Sequence, residues 1–285
     1  MSKNGRRLLA NRIALGAMYA TAVIALIPLS LVLVFTVVQG LPAVMHVEFF
    51  LHSQVPEGIP GGGVSNAFVG TFVMVGIASA MAIPIGIVSG IYLAEYGRGR
   101  IGDVVRLCCD VLVGIPSIVI GLAINALLVV NVIHHFSGFS GSVALAVLML
   151  PVVVRTTEGA VTLVPNALRE AGLALGLARW RVSLQLILPA AIPGVLTGAL
   201  LAVARAAGET APLLLTAFGN IFLNFSPGTS MSALPLIVYH DALTPYPDLV
   251  ATAWGAALVL VAITLVVNLA SRLVLRRQIR LAGRI

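Results

Sequence analysis

The chain has 285 residues, of which 59% are hydrophobic and only 9% are charged. Soluble domains usually carry about 25% charged residues, so this composition excludes an ordinary soluble domain and indicates a polytopic membrane protein. The net charge of +7 is segregated along the chain. We interpret it as an orientation signal rather than as a nucleic-acid-binding surface, and we expect no nucleic-acid partner.

Apolar segments long enough to cross a bilayer occur six times in the sequence. A helix needs ~20 residues to span a ~30 Å hydrocarbon core. The segments lie at about 13–38, 66–94, 104–133, 142–164, 190–217 and 249–270. The first is too long for the apolar region of a signal peptide and lacks a small-x-small cleavage site, so we expect a retained helix. The sequence therefore predicts an all-α membrane protein with six transmembrane helices.

Basic residues indicate how these helices are oriented. They cluster before the first segment and after the second, fourth and sixth, whereas the loops 39–65, 134–141 and 218–248 contain no Lys or Arg. The positive-inside rule then places both termini in the cytoplasm. We divide the chain into a tail, first helix and outer loop (1–65), a core of five helices (66–272) and a basic cytoplasmic tail (273–285).

Two stretches between the segments have helical patterns of their own. The cytoplasmic stretch 164–194 is bounded by prolines, and its glycines favour two short helices separated near Gly176. On the outer side, "SALPLIVYHDAL" (232–243) predicts a short helix on or within the membrane interface.

Two pairs of opposite charges interrupt the apolar segments. Arg155 and Glu158 are three residues apart in the fourth segment, and Arg205 and Glu209 are four apart in the fifth, with Thr156 and Thr210 beside them. Residues at these spacings share a helix face and can form ion pairs. Counting along each segment places both arginines near mid-membrane, at one common level.

These pairs have a structural and a functional interpretation. They could simply lock the fourth helix to the fifth. Charges in a bilayer are costly, however, and usually mark a substrate path. The single lysine is Lys3 in the N-terminal tail, so an anion site in the membrane must use arginine, whose planar fork matches a tetrahedral oxyanion. We predict a substrate-binding site for an anion at Arg155, Thr156, Glu158, Arg205, Glu209 and Thr210.

The stretch "EAGLALGLARWRVSLQLILP" (170–189) resembles the cytoplasmic EAA loop of permease subunits of bacterial ATP-binding-cassette importers. The residues in register with that pattern are Glu170, Ala171, Gly176, Leu188 and Pro189. The resemblance implies the type I importer permease (MetI-like) fold, with these residues coupling the chain to an ATPase. Gly172 and Leu186 replace the usual Ala and Ile, which puts only fine contacts with the ATPase in doubt.

A narrower resemblance covers roughly residues 66–272. "RTTEGAVTLVPNALREAGLALG" and "ARAAGETAPLLLTA" are similar to the phosphate-specific transport (Pst) permeases, and "GETAPLL" favours the A type over its C-type companion. The resemblance implies phosphate translocation at Arg155 and Arg205. It also implies four partner subunits: a homologous C-type permease, two ATPase copies and an extracytoplasmic phosphate-binding protein, assembled in the cytoplasmic membrane.

Other classes of function receive less support. No GxxxxGK[ST] motif occurs, so we expect no ATP bound by this chain and no other cofactor. Neither an intramembrane enzyme constellation nor a metal-ligand spacing is present; the adjacent pairs Cys108–Cys109 and His134–His135 fit neither a disulfide nor a metal site. The alternatives that stay open are a permease for sulfate or molybdate and an ion-gradient carrier using Glu158 and Glu209.

Overall fold

The structure is a computed structural model that describes residues 3–59 and 61–282. Within these ranges the regular elements are helices, which confirms the predicted all-α class. In chain order they are α1 (Lys3–Val44), α2 (Glu48–Leu51), α3 (Ser65–Glu95), α4 (Arg100–Gly114), α5 (Ser117–Ile124) with a π-helical continuation (Asn125–Ile133), α6 (Gly138–Thr162), α7 (Asn166–Ala174), α8 (Arg179–Val182) with a π-helical continuation (Ser183–Ile187), α9 (Leu188–Ala207), α10 (Ala211–Thr216), α11 (Leu234–Asp241) and α12 (Pro247–Ala282).

Five of the six predicted spans are single helical stretches of the described chain, each long and apolar enough to cross a membrane. The predicted third span corresponds to a pair of helices bent at a short break, which is the geometry of a broken span or of a re-entrant loop. The five unbroken spans are Asn11–Val44, Ser65–Glu95, Gly138–Thr162, Arg179–Ala207 and Pro247–Ala270.

The third span bends by 103° between α4 and α5. The sequence predicts one continuous helix over 104–133, which is wrong. Ile115, which precedes Pro116, is extended with ψ 132°, because a proline disfavours the helical conformation of the residue before it. Two helices at a large angle therefore replace the straight span, and α4 lies against α6.

The core of the fold is a close contact of α6 with α3 on one side and α9 on the other. Gly86 and Gly90 of α3 leave no room for a side chain against α6, and Gly194 and Gly198 of α9 do the same against Ala160 and Thr156. Small residues of this kind let membrane helices approach closely. The α6 helix is consequently the most buried of the candidate spans.

Helix α1 lies at the edge of the bundle and packs on α12. Gly40 sits directly against the backbone of Trp254, and the Trp254 ring meets Phe35 edge-on with ring centroids 5.4 Å apart. Most other described side chains of α1 are exposed and apolar, as expected for a helix that faces lipid.

The two short elements predicted between spans are helical. In the cytoplasmic loop, α7 and α8 are separated by a turn in which Gly176 has φ +77°, a conformation that suits glycine. On the outer side, α11 forms within the predicted stretch. Leu234, Leu236 and Ile237 are buried in the protein, so α11 packs into the bundle instead of lying on the membrane surface.

A buried polar cluster joins this outer helix to the loop before α3. Gln54 donates from Nε2 to both carboxylate oxygens of Asp241, at 3.5 and 3.4 Å, and its Oε1 accepts from Asn66 and Ser232. Burial raises the pKa of Asp241 to about 6, Gln54 works against that rise, and the charge of nearby Glu57 adds to it. The three outer loops contain no Lys or Arg, and among the described residues no cation acts on this carboxylate.

We expect Asp241→Asn to stabilise the protein at neutral pH. A carboxyl whose pKa is higher in the folded chain holds its proton more tightly there, so stability falls as pH rises from about 4 to about 6. The neutral amide avoids this loss, which amounts to at most about 3 kcal/mol. The apparent melting temperature in detergent should therefore rise by several degrees at pH 7.5 and match the parent near pH 4.

The exposed outer acid Asp248 provides the control for this substitution. Asp248→Asn should give no stabilisation at either pH. A melting temperature of Asp241→Asn that stays at or below the parent value at pH 7.5 would show that the burial of this carboxylate is not costly.

Candidate functional site

Arg155 of α6 is held by two carboxylates. Its Nη2 donates to Oδ1 and Oδ2 of Asp110 at 2.6 and 2.7 Å, its Nε donates to Oδ1 at 3.0 Å, and its Nη1 donates to Oε2 of Glu158 at 3.0 Å. The predicted pair with Glu158 is present. The guanidinium of Arg155, however, makes most of its hydrogen bonds to Asp110 on α4. Asp110 is not among the residues of the predicted site.

Arg106 completes this network from α4. Its Nε donates to Oε1 of Glu158 at 2.6 Å, and its Nη1 and Nη2 donate to the carbonyls of Gly97 and Leu93 at 3.0 Å each. Arg106 therefore ties α4 to α6. It also binds the Leu93 carbonyl in the last turn of α3, which the helix itself leaves without a partner, and the Gly97 carbonyl just beyond that helix. Charges alternate along the chain of contacts from Arg106 through Glu158 and Arg155 to Asp110.

The sequence contains a signal for these two missed residues. Arg106 and Asp110 are four apart on one helix, the same arrangement as Arg205 and Glu209. By its place in the sequence, Arg106 belongs to the basic residues after the second apolar segment, which indicate the orientation. Only the bend before Pro116, which lays α4 along α6, brings the pair to Arg155 and Glu158.

Arg205 and Glu209 form the second predicted pair, in a looser arrangement. The distance from Arg205 Nε to Glu209 Oε1 is 3.4 Å, and the Arg205 side chain is 51% exposed. Arg205 lies in the last turn of α9 rather than at the middle of a span, and Glu209 follows the helix end at Gly208. The helix ends here because Pro212 has no N–H to donate back to the Gly208 carbonyl.

The two arginines do not share one level, contrary to the prediction. In the antiparallel contact of α6 with α9, Gly198 faces Thr156 and Gly194 faces Ala160. Extending this register places Arg205 opposite Met149, and both residues line one narrow crevice. Arg155 is six residues further along α6, which corresponds to about 9 Å toward the cytoplasm. The two counts start from opposite faces of the membrane: about 20 Å inward from the outer face and about 22 Å outward from the inner face lie about 12 Å apart in a core of about 30 Å.

The two threonines differ in their surroundings. Thr156 donates its hydroxyl to the carbonyls of Val152 and Val153 and faces Gly198, so it lies in the contact between helices. Thr210 is half-buried at the start of α10. The substrate-binding role proposed for these threonines stays a prediction.

The residues of the cytoplasmic loop fall into two groups. Glu170 and Ala171 are exposed on α7, and Gly176 forms the turn to α8, so these face outward from the bundle. Leu188 and Pro189 begin α9. The loop is fastened to the bundle by Arg169, which donates to Glu95 at the end of α3 and to the carbonyls of Val161 and Val164.

Comparison with known proteins places this architecture in a family. Residues 82–280 match the family described as "Binding-protein-dependent transport system inner membrane component". The chain belongs to this family. It is accordingly a multi-pass permease component of the cytoplasmic membrane and a transport subunit rather than an enzyme.

Relatives along nearly the whole length agree with this membership. The chain is 42% identical over 264 residues to a protein of Haemophilus influenzae named phosphate transport system permease protein PstA, covering 92% of this permease and 93% of that protein. A Mycobacterium tuberculosis protein named phosphate transport system permease protein PstA 1 is 38% identical over 273 residues, covering 94% and 90%.

Solved structures support the fold. A chain of the methionine ABC transporter MetNI in an inward-facing conformation gives a TM-score of 0.61 at 19% identity and covers 73% of this permease and 92% of that chain. A chain of a bacterial alginate ABC transporter gives a TM-score of 0.61 at 14% identity over 95% and 96%. At these identities the likeness concerns architecture, and it confirms the predicted type I importer permease fold.

We expect Arg106→Gln to destabilise the permease. The substitution removes charged hydrogen bonds to Glu158 and to two carbonyls, each worth about 1.5–3 kcal/mol, and the apparent melting temperature in detergent should fall by several degrees. Arg100 is exposed at the start of the same helix and bonds to no side chain in the described structure. Arg100→Gln should therefore melt with the parent, and equal melting of the two variants would contradict the anchoring role of Arg106.

Proposed function

We propose that this chain is the A-type permease subunit of a phosphate importer and moves inorganic phosphate inward across the cytoplasmic membrane. The observation that carries the proposal is the 42% identity to a phosphate permease over nearly the full length of both chains. The chemistry of the intramembrane residues supports it, because each guanidinium offers a planar fork of donors to a tetrahedral oxyanion.

We propose that the anion passes Arg205 first and Arg155 second. Arg205 is half exposed and weakly paired with Glu209, so an anion can bind it at little cost. Arg155 is about 9 Å deeper and is already bound by Asp110 and Glu158. An anion at Arg155 must replace a carboxylate, and the more exposed Asp110, at 57% against 14% for Glu158, is the easier one to replace. Two successive arginines that differ in how easily they bind an anion fit a transport path better than one tight binding site does.

The energy for transport is proposed to come from partner subunits. The sequence has no GxxxxGK[ST] loop that would bind ATP. We infer an assembly with a homologous C-type permease, two ATPase subunits and an extracytoplasmic phosphate-binding protein in the lipid bilayer. The exposed loop carrying Glu170, Ala171 and Gly176 is the proposed ATPase contact, and Leu188 and Pro189 set its junction with α9.

Uptake measurements test the substrate and the energy source together. The assembled importer is placed in proteoliposomes with ATP inside or absent, and labelled phosphate or sulfate is supplied outside with the binding protein. We expect ATP-dependent uptake of phosphate alone. ATP-dependent uptake of sulfate would assign another oxyanion, and uptake driven by an ion gradient without ATP would place the chain among carriers.

Substitutions at the outer pair separate binding geometry from helix pairing. Arg205→Lys keeps the charge and loses the fork, and we expect it to reduce phosphate uptake at least about tenfold. The double variant Arg205→Gln with Glu209→Gln removes both charges, so it should assemble without leaving an unpaired charge and should still fail to transport. Normal phosphate uptake by the double variant would show that the pair only joins helices.

The turn between α7 and α8 provides a separate test of coupling. Gly176 has φ +77° with open space around its Cα, so a new side chain meets backbone strain and no clash. Gly176→Val should impair ATPase binding and transport, because β-branched residues are unfavourable at positive φ. Gly176→Asn is the matched control, since asparagine tolerates this conformation. Co-purification of the ATPase and full uptake in Gly176→Val would refute the assignment.

A further inference from the structure

A polar cavity of about 470 Å³ opens on the cytoplasmic side of the permease, away from both intramembrane pairs. It lies between the end of α3, the end of α6 and the loop helices α7 and α8. The side chains of its lining that carry charge or an amide are Glu95, Arg98, Asn166, Arg169 and Arg179. Its volume is within the range of small-molecule sites.

The charges in this lining are unbalanced. Glu95 is the one acid in the lining, and its Oε1 is already bound by Nε and Nη2 of Arg169, at 2.9 Å each. This pair is mostly buried, at 13% and 19% exposure, and it neutralises itself. Arg98 and Arg179 have no acidic partner in the part of the chain that the structure describes, so the cavity carries two positive charges in excess.

Free hydrogen-bonding groups accompany this charge. Asn166 uses its Oδ1 to accept from Arg169, which leaves its Nδ2 as a donor. Within the described residues the second oxygen of Glu95, Oε2, accepts no hydrogen bond, so it can accept one from a protonated anion. Two guanidiniums, an amide donor and one acceptor together match a phosphate that carries both negative charge and a hydroxyl. Sulfate lacks that hydroxyl at neutral pH.

We propose that this cytoplasmic cavity binds a phosphate-type oxyanion, held by Arg98 and Arg179. The oxyanion is inorganic phosphate in the cytoplasm, which arginines bind through charged hydrogen bonds, or the phosphate of an anionic lipid head group, which basic pockets between membrane helices on this side bind. Bound there, it joins the end of α3 to the loop helices α7 and α8. If phosphate binds this cavity, the rate of phosphate import depends on the phosphate concentration in the cytoplasm. This consequence rests on the proposed function.

Trp180 does not line the cavity but is next in the chain to Arg179, which does, so its emission can report binding there. It follows Arg179, is 55% exposed, and is one of only two tryptophans in the chain. The other, Trp254, is replaced by phenylalanine so that the emission comes from Trp180 alone. The full-length permease is then placed in nanodiscs of phosphatidylcholine and titrated with inorganic phosphate or sulfate. We expect a saturable change in Trp180 emission with phosphate and a weaker one with sulfate.

Matched charge variants decide whether the cavity is responsible. Arg98→Gln with Arg179→Gln should weaken phosphate binding at least about tenfold. Arg12→Gln with Arg272→Gln removes the same charge from exposed positions elsewhere and should bind like the parent. The single variant Arg179→Gln is measured as well, in case the double variant does not fold. Arg205→Lys should keep the Trp180 response, so that loss of transport and loss of this site are distinguishable.

A second lipid composition separates the two sources of phosphate. If nanodiscs containing phosphatidic acid abolish the response to free phosphate in the parent, the head group occupies the cavity; if the response persists, inorganic phosphate is the ligand. Equal responses of the parent and the Arg98/Arg179 variants in both lipids would overturn the proposal. It would also be overturned if those variants lost only ATPase binding, since a carboxylate of the ATPase would then be the partner.

Discussion

The close contact of α6 with α3 and α9 is the constraint on which the rest of this permease depends. In lipid no water-driven force brings apolar helices together, so association relies on close packing and hydrogen bonds between helices. Glycines at Gly86, Gly90, Gly194 and Gly198 supply that packing by removing the side chains that would hold the helices apart. The same contact fixes the register of α6 against α9 and hence the depths of Arg155 and Arg205.

The cost of burying charge explains why the inner arginine is so fully engaged. A guanidinium in a membrane helix is tolerated when carboxylates or carbonyls surround it. Arg155 has two carboxylates, and Arg106 has Glu158 together with two carbonyls at the end of α3. These ion pairs hold α4 along α6.

The two ends of the bundle are stabilised by different chemistry. At the outer end, where the loops lack Lys and Arg, the Gln54 amide donates to the buried carboxylate of Asp241 and itself accepts from Asn66 and Ser232. At the cytoplasmic end, arginines dominate: Arg169 fastens the loop helices to α3, while Arg98 and Arg179 line an open cavity. The asymmetry follows from the distribution of basic residues that orients the protein, and it gives anions a favourable environment on the inner side.

The sequence by itself determined five of the spans, the all-α class, the two short loop helices, the ion pairs Arg155–Glu158 and Arg205–Glu209 and the family resemblance, because hydropathy, charge spacing and glycine positions are local properties. The bend before Pro116 and the end of α9 at Gly208 have local causes in Pro116 and Pro212, whereas only the tertiary structure decided the roughly 9 Å offset between Arg155 and Arg205. It also brought Arg106 and Asp110 to the site from another helix. Hydropathy measures whether a segment can lie in lipid. The depth of a side chain in the membrane and the residues that it contacts depend instead on the register between helices, which the facing glycines set.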